Sequence, residues 1–142
     1  MPMTLALANT IVTESLKAGR ARNFMPLTVA VLDAGGHLVS FQREDRSGII
    51  RFDIAYGKAY GALGMGFGSR ELFNRTANNP TFMATLSTVS GGRLVPVAGG
   101  VLILEGDQVI GAVGISGDVS DNDEICALAG IEAAGLTAKP AL

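Results

Sequence analysis

Two strand–turn–strand units constrain this chain more than any other feature. In LTVAVLDAGGHLVSFQR (27–43), an apolar run rich in β-branched residues is followed by a glycine turn and a second run. The first run, 27–33, is almost unbroken in apolar residues, which predicts a central strand covered on both faces. The turn DAGGH (33–37) places Gly35 and Gly36 where positive φ is needed. The second run, 37–43, alternates, predicting Val39 and Phe41 on one face with Ser40 and Gln42 on the other. VLILEGDQVIGAVGIS (101–116) repeats the plan, with Gly106-Asp107 as its tight turn. Gly111 and Gly114 interrupt its second strand and predict a bulge or a close backbone approach. Hairpins of this kind build an antiparallel sheet.

Helical periodicity fills much of the rest. Over 4–18, Leu5, Ala8, Val12 and Leu16 form one stripe with Leu7 and Ile11 beside it, and Gly19 is a stop signal. A longer helix over 49–65 carries Gly57, Gly61 and Gly64, with Gly68 just beyond, at spacings of four, three and four. Those spacings put the glycines on one face. Each costs about 1 kcal/mol relative to Ala inside a helix. Either another backbone packs closely on that face, or a flat ligand lies there. Ser69 reads as the N-cap of a short helix over 70–76, with Glu71 and Arg75 paired at i,i+4. Asn79-Pro80 opens another, ending near Ser87. In GGRLVPVAGG (91–100), Pro96 restricts the chain to a sheet edge or an irregular ribbon. A last helix runs from about 121 to 136. The order α-β-β-α-α-α-β-β-β-α predicts one α+β domain over 1–142, with an antiparallel sheet of about five strands and helices packed on it.

Four acids, Asp118, Asp121, Asp123 and Glu124, crowd the start of that last helix. An EF-hand calcium loop needs an internal glycine and a distant Glu that DVSDNDE lacks. Zinc wants His or Cys. No metal site is expected. Helix capping accounts for the pattern instead: Ser120 as N-cap, Asp123 three residues on as a partial capping box, and Asp121, Asp123 and Glu124 at the positive end of the helix dipole. Asp118 suits a tight turn after Gly117. A ligand contact by Ser116, Gly117 or the cap region stays open, since N–H groups at a helix start suit an anionic group.

Composition narrows the function classes. Hydrophobic residues are 48% and charged ones 17%, which opposes disorder and points to a homo-oligomer hiding apolar surface. Net charge is −2 and the arginines are scattered, so no nucleic-acid surface is expected. No run approaches the roughly 20 apolar residues that cross a bilayer. No leader pattern opens the chain, and the expectation is a cytoplasmic protein. The single cysteine, Cys126, allows no intrachain disulfide.

Three segments carry a resemblance: VAVLDAGGHLVSFQRED, IAYGKAYGAL and GGRLVPVAGGVLILEGDQVIGAVGISGDVSDNDEICALAGI. They are similar to the GlcG/HbpS family of haem-binding-like proteins, whose domain also forms the C-terminal part of some PduO-type cobalamin adenosyltransferases. The resemblance runs from about residue 4 to 137. It implies a profilin-like sandwich and a homo-oligomer, dimeric up to octameric. It also implies a small-molecule ligand, with haem or corrinoid the choices it offers. Leu102 stands where many relatives carry Pro.

The residues alone supply no axial ligand for haem. Iron normally takes His, Met, Cys or Tyr. The one histidine, His37, lies on a hairpin turn and reads as solvated. Cys126, Met65, Met83, Tyr56 and Tyr60 read as core or interface. No nucleophile–His–acid arrangement, phosphate loop or dinucleotide fingerprint is present. Lys58, alone among small and apolar neighbours, is either a lysine covering apolar surface or a group facing a pocket. That pocket would lie between the long helix and the Gly99-Gly100 and Ser116-Gly117 loops. Three readings follow: a small-molecule-binding protein; an enzyme without metal or nucleotide, acting on a small organic acid through Lys58 with Asp53 or Asp123; or an oligomeric accessory protein with no ligand of its own. The candidate site is therefore Lys58, Asp53, Gly99, Gly100, Ser116, Gly117 and Asp123, with no catalytic role assigned.

Overall fold

The computed structural model describes residues 2–142. In chain order the elements are α1 (Leu5–Ala21), β1 (Thr28–Asp33), β2 (Leu38–Arg43), α2 (Arg51–Met65), α3 (Ser69–Asn78), α4 (Pro80–Val89), β3 (Gly100–Glu105), β4 (Gln108–Ser116), α5 (Ser120–Ala133) and β5 (Thr137–Lys139). The strands form one open antiparallel sheet in the order β2-β1-β4-β3-β5. This is the α+β fold that the two hairpins predict.

Alternation along the central strands divides the core in two. Val29, Val31, Val101, Ile103, Val113 and Ile115 pack on one side with Ile11 and Val12 of α1 and Cys126, Ala127 and Ile131 of α5. Leu32, Leu102 and Ala112 face the other side, against Ala59 and Ala62 of α2. Between these leucines, Gly100, Ala112 and Gly114 leave little side chain on this second face. A methyl at Gly114 would overlap the Ala55 carbonyl oxygen, and one at Gly100 the Lys58 carbonyl oxygen. α2 thus lies on the sheet at backbone distance, possible only where no Cβ intervenes. Its outer side is covered in turn. The Gly57 carbonyl accepts from Val95 N–H at 3.2 Å, and a methyl at Gly57 would overlap the Arg93 carbonyl oxygen. Gly57 is therefore a backbone-packing position, whereas a methyl at Gly61 would meet the side chains of Leu94 at 3.0 Å and Leu72 at 3.2 Å. Gly64, by contrast, borders open space.

Several local expectations shift. The fifth strand is β5, three residues after the last helix, while 91–99 stays irregular and the strand begins only at Gly100. α5 stops at Ala133 rather than 136, because Gly135 takes φ 76° and Leu136 N–H turns back to the Ile131 carbonyl. Ser120 is the first residue of α5, after Val119 as N-cap, and Asp118 supplies the turn bonds to Val119 N–H and Asn122. Ser69 is likewise the first residue of α3. Its buried hydroxyl accepts from Gly100 N–H at 2.7 Å, tying α3 to β3. In β2, a bulge opposite Val31 and Leu32 breaks the expected alternation. Val39 joins the α1 side, where Ser40 Oγ donates to Asn9 Oδ1 at 2.6 Å. Phe41 turns to the α2 side and meets the Phe52 ring edge-on at 4.9 Å. No helix among the described residues is long and apolar enough to cross a membrane.

Candidate functional site

The structure brings together most of the residues singled out in the sequence, as a sealed ion pair. Lys58 projects from α2 past Gly99, while Gly100 lies against the Lys58 backbone carbonyl. Its Nζ donates to the Ile115 carbonyl at 2.8 Å and to Asp123 Oδ2 at 3.1 Å. The other Asp123 oxygen accepts from Asp118 N–H at 3.0 Å, so this carboxylate neutralises the lysine and ties down the turn before α5, and the expected capping box with Ser120 does not form, since Val119 is the N-cap and no side chain caps the helix. Side-chain exposure is 2% for Lys58 and 1% for Asp123. Burial pulls the Lys58 ammonium down and pushes the Asp123 carboxyl up, while each partner opposes the other's shift. Gly99, at φ 120°, is required: a Cβ there would sit 2.8 Å from Lys58 Nζ and 2.9 Å from the Ile115 carbonyl oxygen.

Ser116 borders this cluster and accepts from Arg51 Nη1 at 3.1 Å. A methyl at Gly117 would overlap the Pro26 carbonyl oxygen, so that glycine serves the contact between the α1–β1 and β4–α5 loops. Met25 N–H donates to Asp118 across the same contact at 2.7 Å. Asp53 stands apart, exposed on α2, with no bond to Lys58 or Asp123. The remaining acids have partners too: Arg70 of α3 donates to Glu124 at 2.9 Å and to Asp121 at 2.5 Å. No group of three His, Cys, Asp or Glu among the described residues could hold a metal ion. Cys126 is buried, and burial pushes its thiol up to about 11, which leaves it an inert core residue.

A second candidate site lies at the far end of the sheet. Beside the β1–β2 turn is a cleft of about 520 Å³, walled by Met3, Val109 and Ile110 and rimmed by Asp33, Gly35 and His37. Asp33 organises the turn: its Oδ1 accepts from Gly35 N–H at 2.9 Å, from His37 N–H at 3.0 Å, and lies 3.1 Å from His37 Nδ1. Burial acts to raise the Asp33 carboxyl, but these backbone donors and the His37 ring outweigh it and hold the group below its ordinary value. The turn is fixed from behind, where Tyr56 Oη donates to the Gly36 carbonyl at 3.3 Å. Tyr56 and Tyr60 stack with centroids 5.9 Å apart, and the Arg93 guanidinium sits 4.3 Å over the Tyr60 ring. The sequence held a signal for this pairing: an Asp heading a turn bonds N–H groups two residues on, which brings a side chain four positions later within its reach.

The fold is that of a helix-covered open sheet already solved in several proteins. PduOC in complex with haem superposes with a TM-score of 0.87 at 20% identity, covering 96% of this chain and 98% of that one. Protein ORFY of Klebsiella pneumoniae gives 0.86 at 26% identity, over 94% and 90%. HbpS gives 0.80 at 27% identity, over 92% and 88%. An uncharacterised 15.0 kDa protein of the dhaT-dhaS intergenic region of Citrobacter freundii is 29% identical over 125 residues, 88% of this chain and 87% of its own. Residues 3–132 match the family described as haem degrading protein HbpS-like, and the chain belongs to that family.

Proposed function

We propose that this chain is a small-molecule-binding protein whose ligand is a haem-class tetrapyrrole. One observation carries the reading: the cleft at the β1–β2 turn combines an apolar wall with a single oriented nitrogen base. Small-molecule seats have this make-up, mostly apolar with a few placed polar groups. The chemistry fits haem, which asks for an apolar surface for the macrocycle and a donor such as His for the iron. Support also comes from the family's description and from the PduOC relative, which was solved with haem. Turnover of a small organic acid through Lys58 draws less support, because its side chain is 2% exposed and its ammonium is already engaged by Asp123. Titration of the purified chain with hemin, followed by absorption, tests the proposal. The expected result is a saturable Soret shift that ends at one hemin per chain. A weak, non-saturating change that grows with hemin concentration would overturn it.

A further inference from the structure

We propose that His37 Nε2 is the atom that coordinates the iron, an assignment that rests on the haem-class reading above. In the neutral ring, Nδ1 faces the Asp33 carboxylate at 3.1 and 3.3 Å, and a carboxylate only accepts. The proton therefore resides on Nδ1, and Nε2 keeps its lone pair. Histidines that ligate metals are held in this way: the second ring nitrogen donates to a carboxylate, which fixes the tautomer and raises the basicity of the ligating atom.

Three features show that the arrangement is built into the turn. Asp33 is not free to swing away, since its Oδ1 also accepts two backbone N–H groups of the same turn. Gly35 leaves room for the ring, because a Cβ there would lie 2.9 Å from His37 Cε1 and 3.0 Å from Nδ1. The ring nonetheless remains open to an incoming macrocycle, with 81% of its side-chain surface exposed, at the rim of the cleft walled by Met3, Val109 and Ile110. The chain has no other histidine, and its one thiol is buried in the core.

The test compares hemin binding by the unaltered chain with that of His37→Ala and Asp33→Asn, read by absorption and by low-temperature electron paramagnetic resonance of the ferric form. His37 is exposed, so His37→Ala is expected to keep the unaltered urea midpoint and far-ultraviolet dichroism. It should lose the nitrogen-ligated ferric signature and bind at least about tenfold more weakly, and added imidazole should restore the signature. Asp33→Asn should weaken binding by about 10–100-fold, the usual consequence of removing a partner behind a metal-bound histidine. Saturable binding by the unaltered chain with an unchanged spectrum and affinity in His37→Ala overturns the assignment and leaves the haem reading standing. Absence of saturable binding by the unaltered chain overturns both.

Discussion

Lys58→Met is expected to destabilise the folded chain by about 3–5 kcal/mol at neutral pH, the range found when one partner of a buried ion pair is removed. The substitution roughly preserves volume and leaves Asp123, 1% exposed, with no counter-ion. The loss should depend on pH with a definite sign. Burial already raises the Asp123 carboxyl above its ordinary value, and removal of Lys58 removes the main opposing influence. A carboxyl whose folded pKa is raised contributes least at high pH, where the unfolded chain ionises freely, and the loss shrinks as pH falls toward the unfolded value. Urea midpoints of the variant should therefore approach those of the unaltered chain under mildly acidic conditions. Adding Asp123→Leu to Lys58→Met should recover most of the stability at neutral pH, because apolar pairs often replace buried ion pairs without loss. No recovery in the double variant would show that the pair does more than hold α2, β4 and α5 together.

Gly114→Ala should have a comparable effect for a different reason. Its Cβ would overlap the Ala55 carbonyl oxygen and sit 3.0 Å from Ala59 N, so the obstacle is the backbone of α2 and not a movable side chain. Overpacking costs about 1–3 kcal/mol where side chains can shift, and more where they cannot. A loss of at least about 3 kcal/mol is expected, a large share of the roughly 5–15 kcal/mol that holds a domain folded. Gly64→Ala is the matched control. It sits in α2, the helix that Gly114 of β4 packs against, with nothing within 4 Å of a new methyl, so it should gain up to about 1 kcal/mol from helix propensity. Equal responses at 114 and 64 would refute the close-packed interface.

Much of the architecture was legible because its signals are local. The two hairpins, the glycine face of α2 and the acid-rich first turn of α5 all announce themselves within a few residues, although the residue that caps α5 is Val119 and not Ser120. β5 did not, because Thr137–Lys139 is three residues long and is a strand only through pairing with Leu102–Leu104. The bulge at Val39 was hidden for a similar reason: it is a property of the pairing with β1, and the alternation of 37–43 carries no trace of it. Of the candidate site, the sequence offered Lys58 with Asp53 or Asp123 and could not choose between the two acids; the structure pairs Lys58 with Asp123. Their union spans 65 positions, beyond the reach of any spacing argument. His37 was read as a solvated turn residue, and it is exposed. What that reading lacked was the Asp33 carboxylate beneath the ring, which depends on how tightly the turn closes.

The molecule divides into a packed centre, where Lys58 and Asp123 hold the layers together, and the hairpin end, where the ligand seat is proposed. Hydrogen exchange, read peptide by peptide on the free and hemin-saturated chain, tests that division most directly. New protection should appear in peptides covering 33–37 and 108–110, with exchange around 99–100 and 116–118 unchanged. Protection at 99–100 and 116–118, with the hairpin unaltered, would contradict it.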